Sequence, residues 1–354
     1  MKRYEALDGL RGIAAVMVIF YHYSLDFFEP VGIFRDNFLT ATSYAFVDLF
    51  FVLSGFVISL NYFKTIQNRS AFNSYLVKRF ARLYPLLLFT VSIYVVLKAY
   101  AFYSGFAFDT SDYGPKDFII DILEPLTFLN STPIISTSAG MNPVSWSISA
   151  EMIAYVIFGL TVLSTRRPML VFYGLIVTSV LFIWKEQRFM FASDFGFIRG
   201  ILGFSVGVVT YRYQNFKRFF KGFWQELSAI LFILMSFYWI HNSSTELTNL
   251  ILPAVFFYTI MVFTNESGAI SKVLKSNFFQ FLGRISYSVY LNHFIILWVY
   301  YELVWKLIGF TPNRTLAWIG IILILITVGI TSYFSYELIE KKGMRKIRAI
   351  FQVQ

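Results

Sequence analysis

Apolar residues in this chain come in runs of about 20, broken by short polar stretches, and a run of that length crosses a bilayer as a helix. Ten such runs are read at roughly 10–28, 42–63, 83–103, 144–164, 168–184, 195–213, 224–241, 247–264, 281–305 and 315–337. Trp and Tyr near several ends suit the interfacial belt. The pattern predicts an all-α polytopic integral membrane protein with about ten transmembrane helices, a single membrane domain over 1–354. An even number of spans puts both termini on one side. The longest connection, 104–143, carries Asp109, Asp112, Asp117, Asp121 and Glu124 before a Ser/Thr/Pro/Gly-rich stretch to Pro143. A loop of that length is either a lid over a site or a solvated segment with a short re-entrant or interfacial helix at 117–130.

Charge sets the orientation. Of the 30 Lys and Arg residues, 21 fall in segments on the side of the N-terminus, seven fall opposite, and Arg11 and Arg199 lie within spans. The positive-inside rule then puts both termini in the cytoplasm, makes 104–143 an outer loop and 338–354 a basic cytoplasmic tail. The same clustering accounts for the net charge of +10 without a nucleic-acid partner. Charged residues make up 14% of the chain, against about 25% for soluble proteins, and 57% is hydrophobic, so nothing is left for a separate soluble domain. There is no cysteine, which excludes a disulfide, a thiol nucleophile and a Cys-based metal site. Met1-Lys2-Arg3 followed by apolar sequence is like a signal peptide, but Asp8 and Arg11 interrupt it and no small-residue cleavage site follows. The first run is read as a retained span.

Arg11 and His22 sit in that first span, eleven positions apart. At ~100° per residue they share one helix face, separated by roughly 16 Å along the axis. A guanidinium in hydrocarbon is costly and usually faces a polar cavity or pathway. Depth estimates put His22, His293 and Glu151 all in the middle-to-outer half of a ~30 Å core. His22 suits a general base, with Glu151 accepting its other N–H to fix the tautomer. The alternatives are an interhelical hydrogen bond for His22, an ion pair with Arg199 for Glu151, and a packing hydrogen bond for His293. His241, at a span end, reads as a surface residue. Arg79 and Arg82, at i and i+3 just before Pro85, can form with Arg11, Lys64 and Lys78 a basic cluster at the inner mouth. Guanidinium groups suit phosphate, and ordinary topological anchoring is the other reading. No Walker-type loop, metal-ligand spacing or Gly-x-Ser-x-Gly elbow occurs. Ser54-Gly55 reads as a close helix contact.

Six segments resemble, in order, the motifs of the acyltransferase-3 family, the polytopic O-acyltransferases of glycans. Leu7-Asp8-Gly9-Leu10-Arg11-Gly12-Ile13-Ala14-Ala15 ending at His22 is similar to its opening, a basic residue, ten positions and a histidine. Phe50 to Phe56 resembles its second-span motif, Arg79 to Pro85 its paired arginines, and Trp146 to Glu151 its Trp-Ser…Glu motif. Ile285 to His293 resembles its Ser-Tyr…Tyr-Leu…His segment, and Tyr336 to Lys341 its ending. The resemblance implies a cytoplasmic acyl-CoA donor, usually acetyl-CoA, and transfer to a hydroxyl of a surface or lipid-linked glycan such as lipopolysaccharide, in a bacterial inner membrane. It implies functional roles for Arg11, His22, Arg79, Arg82 and Glu151, with His293 beside them, and no metal. Some relatives carry a hydrolase-like extracytoplasmic domain after the last span. This chain ends soon after that span, so the expectation is a stand-alone form that acts in its own cavity or hands its acyl group to a separate periplasmic partner. On this reading Arg11, Arg79 and Arg82 hold the CoA phosphates, His22 deprotonates the acceptor hydroxyl, and Trp146, Ser147 or Tyr155 supplies an oxyanion donor. An acyl-histidine relay is an alternative route. The rival class is a proton-coupled transporter or glycan flippase, which also needs buried His, Glu and Arg.

Overall fold

Hydrocarbon offers the backbone no hydrogen bonds, so each apolar run must satisfy its own N–H and C=O groups by coiling. The computed structural model describes residues 3–25, 31–104, 114–302 and 313–353, and among these there is no strand. In chain order the helices are α1 (Glu5–Tyr23), α2 (Phe38–Ala41), α3 (Phe46–Tyr62), α4 (Arg69–Ser104), α5 (Pro115–Leu126), α6 (Trp146–Ser164) and α7 (Pro168–Glu186). They continue with α8 (Gly196–Arg212), α9 (Phe223–His241), α10 (Leu252–Phe263), α11 (Ala269–Leu274), α12 (Asn277–Tyr301), α13 (Arg314–Ser335) and α14 (Lys341–Ile350). A π-helical turn, Tyr336–Glu340, joins the last two. The expected ends of the first and ninth spans (26–28 and 303–305), with Asp109, Asp112 and Lys306, lie outside the described residues.

Among the described residues seven helical stretches are long and apolar enough to cross a membrane. They contain α3, α4, α6, α7, α9, α10 and α13. The chain is thus an all-α polytopic membrane protein. The helices α1, α8 and α12 fall outside this set, and they carry Arg11 and His22, Arg199, and Asn292 and His293. Helices this polar are stable in a bilayer only when others shelter them. Accordingly α1 packs along α12, and α8 along α3, α6 and α7.

Small residues set these approaches. A Cβ on Gly283 would lie 2.2 Å from the Asp8 carbonyl oxygen, and one on Gly12 would lie 2.7 Å from the Gly283 nitrogen. Side chains of α1 and α12 consequently meet in matching order: Arg11 reaches Ser286, and His22 reaches His293. The two helices run parallel. Gly55 and Gly207 bring α3 equally close to α8, where a Cβ on either would come within 2.0 Å of a facing carbonyl oxygen. The contact expected from Ser54-Gly55 is made by Gly55 alone.

Arg79 and Arg82, expected on one helix face, lie within a helix that starts at Arg69. The described part of 104–143 contains a short helix and packs against the bundle. Its α5 carries two buried acids: Asp121 pairs with Lys98 at 3.7 Å and accepts from Ser138, and Glu124 accepts from the Ser136 N–H and hydroxyl. Asn142 and Ser131 then bond Thr90 of α4 and Ser149 of α6.

Candidate active site

The site is built by five helices around a cavity of about 170 Å³. α1 contributes Arg11, α3 contributes Phe50 and Ser54, and α4 contributes Arg79 and Arg82. α6 adds Ser147, Glu151 and Tyr155, and α12 adds Ser286, Tyr287 and Tyr290. The helical period explains the grouping: Arg79 and Arg82, and likewise Glu151 and Tyr155, are one turn apart on their helices.

The three guanidinium groups differ in their partners. Arg11 donates to Ser286 Oγ at 2.9 Å and to the Gly283 carbonyl at 2.6 Å, with Asp8 at 3.5 Å. Arg82 pairs with Glu340 of the π turn, whose other oxygen accepts from Ser288 at 2.8 Å. Arg79 donates to the Tyr62 hydroxyl at 3.0 Å and lies against the Tyr62 and Tyr155 rings. Its Nε is buried without a hydrogen-bond partner, and among the described residues no carboxylate lies within 4.0 Å of it. Glu151 accepts from Ser54 Oγ at 2.6 Å and from the Tyr155 hydroxyl. One cation and one carboxylate in this cavity therefore have only neutral partners.

His22 and His293 form a pair beyond the cavity's lining. His22 Nδ1 is 3.1 Å from His293 Nε2, and the rings are 4.9 Å apart. Tyr290, one turn before His293, is both a cavity wall and a ring neighbour of His293 at 5.7 Å. Phe50 packs on Tyr290 from α3. Along α12, seven residues separate Ser286 from His293, a rise of roughly 10 Å. The histidines thus sit toward the C-terminal ends of α1 and α12, with Arg11 near their N-terminal ends.

Several sequence expectations are corrected. Glu151 does not hydrogen-bond His22, because α1 packs on α12 while α6 packs on α8 and α4. Glu151 does not pair with Arg199 either. Arg199 grips Asp48 with two bonds, Nε at 2.8 Å and Nη2 at 2.6 Å, both side chains being at most 3% exposed. Lys64 belongs to a separate cleft with Arg166, Arg167 and Arg212, and Lys78 does not line the cavity. Trp146 lies over Arg199 rather than in the cavity lining, and the Ser147 and Tyr155 hydroxyls are engaged with Tyr290 and Glu151. Ser54, Tyr62, Tyr290 and Glu340 are additions. Ser54 is a lone hydroxyl in an apolar run, Tyr290 belongs to the Ser-Tyr…Tyr-Leu…His segment and Glu340 is an acid at a span end, so these three carry a signal in the sequence and Tyr62 does not.

A buried cluster of cations, carboxylate and histidines enclosed by lipid-length helices defines a membrane-embedded enzyme or pathway rather than a structural subunit. The family model described as an acyltransferase domain matches residues 4–336. The chain belongs to the acyltransferase-3 family, and it is a multi-pass membrane acyltransferase. It is 24% identical over 314 residues to "Putative acetyltransferase ORF330" of Acidianus two-tailed virus, covering 83% of this chain and 84% of that protein. It is 29% identical over 164 residues to "Protein 2 in picA locus" of Rhizobium radiobacter, covering 44% of this chain and 81% of that protein. It is 32% identical over 163 residues to "Acyltransferase MdmB" of Streptomyces mycarofaciens, covering 45% of this chain and 39% of that protein. No solved structure matches the chain.

Proposed function

We propose that this acyltransferase takes an acyl group, most simply acetyl, from acyl-CoA on the cytoplasmic side of a bacterial inner membrane. The group is delivered to a hydroxyl of a surface or lipid-linked glycan. The observation that carries this reading is the convergence of Arg11, Arg79 and Arg82 on one cavity, with Arg79 lacking a counter-charge among the described residues. A thioester donor brings phosphates, and guanidinium groups bind phosphate through paired charge-assisted hydrogen bonds.

Size decides how the donor sits. About 150 Å³ holds a benzene-sized ligand, so a cavity of about 170 Å³ takes only part of a CoA thioester. The nucleotide stays at the mouth and the pantetheine arm points inward, toward Tyr290 and Phe50. Those two rings must swing aside for the acyl carbonyl to meet His22. There His22 takes the proton of the acceptor hydroxyl as its oxygen attacks the thioester carbonyl. Glu151, Ser54 and Tyr155 form a hydrogen-bonded polar wall along the arm's path.

The test is donor-dependent ester formation. Purified protein in nanodiscs receives labelled acetyl-CoA and a cell-envelope glycan extract. The expected result is free CoA together with label in an alkali-labile ester, and loss of both in His22→Ala without loss of CoA binding. In sealed proteoliposomes of the same protein, movement of glycan across the membrane without CoA release would instead establish the transporter class.

A further inference from the structure

The geometry points to His293 as a positioning residue for His22, a neutral histidine in the place where a carboxylate was expected. This rests on the reading of His22 as the general base. Two backbone carbonyls fix the tautomers. His22 Nδ1 faces the Val18 oxygen at 3.1 Å, and His293 Nδ1 faces the Val289 oxygen at 3.3 Å. A carbonyl only accepts, so each of these nitrogens carries its proton. Neutral His293 then has a bare Nε2, and that atom lies 3.1 Å from His22 Nδ1. The His22 Nδ1–H is shared between the Val18 oxygen and His293 Nε2. His22 Nε2 is left as the basic atom, and it makes no hydrogen bond among the described residues.

The arrangement performs a definite task. When the acceptor oxygen forms its bond to the thioester carbonyl carbon, the hydroxyl proton moves to His22 Nε2. Among the described residues no carboxylate contacts the resulting imidazolium. His293 Nε2 accepts a strengthened hydrogen bond from the now cationic Nδ1–H and spreads the charge over two rings. The carbon–sulfur bond then breaks, and the His22 Nε2 proton passes to the departing CoA thiolate. Both imidazoles return to their starting tautomers. Packing fixes the geometry: His293 is fully buried between Tyr290 and Phe294, and Phe294 also meets the His22 ring edge-on at 5.3 Å.

Two measurements decide it. The chain has three histidines, so ¹⁵N-histidine labelling of His241→Gln leaves two imidazoles for solid-state NMR. Both are expected to show a protonated Nδ1 and a bare Nε2, and a protonated His22 Nε2 in the neutral ring overturns the proposal. In kinetics, His293→Phe keeps a ring but offers no acceptor, and its kcat is expected to fall roughly 10- to 100-fold with donor KM unchanged. His293→Gln, which can present an accepting oxygen, recovers most of that loss. Equal impairment of the Phe and Gln variants, or unchanged kcat in both, overturns the role of His293. His22→Ala separates the two readings. Wild-type turnover in that variant removes His22 as base, whereas its inactivity beside a fully active His293→Phe removes only the pair.

Discussion

Arg79→Ala isolates the phosphate-binding claim. Of the three cavity arginines, Arg11 already has Asp8, Ser286 and Gly283 as partners and Arg82 has Glu340, while Arg79 has one tyrosine hydroxyl. The capacity to bind an external anion is therefore greatest at Arg79. A hydrogen bond to a charged group contributes ~1.5–3 kcal/mol. At about 1.4 kcal/mol per tenfold, its loss weakens donor binding roughly 10- to 140-fold. The assay compares KM for acetyl-CoA with KM for a phosphate-free thioester, S-acetyl-N-acetylcysteamine, in the same nanodisc preparation. Arg79→Ala should raise the first by that factor and leave the second within about twofold, and its effect should exceed that of Arg11→Ala or Arg82→Ala. Equal losses for both donors would refute the phosphate role, because the missing interaction would then lie with the acyl end or with the fold.

Three further outcomes are expected. Asp48→Asn leaves the Arg199 guanidinium buried without its counter-ion at a cost of ~3–5 kcal/mol, so thermal unfolding in detergent should shift down markedly while donor KM of the remaining folded protein stays the same. Gly283→Ala forces a methyl group onto the Asp8 carbonyl, costs ~1–3 kcal/mol and parts α1 from α12, and acyl transfer should fall with it; Gly329→Ala, with nothing within 4 Å, should change neither. Glu340→Gln takes the internal counter-charge from Arg82, so calorimetry should find tighter CoA binding and a lower unfolding temperature; weaker binding would mean that Glu340 holds Arg82 in its binding pose.

The helical character of the chain and the shared face of Arg11 and His22 follow from local periodicity, which is why both are legible in the sequence. So is the common face of Arg79 and Arg82. What sequence could not convey was which helix lies beside which. His22 and His293 are 271 residues apart and meet because Gly12 and Gly283 let α1 and α12 touch. Arg82 and Glu340 are 258 apart and meet because a π turn rotates Glu340 inward, with Gly343 seated on Pro85. Counting residues from a span end carries no information on which helices are neighbours, so it cannot show that the partners of Glu151 are Ser54 and Tyr155 rather than His22. Lys64 is basic at the same end as Arg11, yet it sits in the turn after α3 and lines the cleft with Arg166, Arg167 and Arg212.

If the arginine cavity receives the donor and leads it to the histidine pair, a cryo-EM structure of the full chain in nanodiscs with bound CoA will show it. Phosphate density is expected within hydrogen-bonding distance of Arg79 and Arg82, with the thiol end directed past Tyr290 toward His22. CoA seated instead in the cleft of Lys64, Arg166, Arg167 and Arg212, with the cavity side chains unmoved, would contradict it.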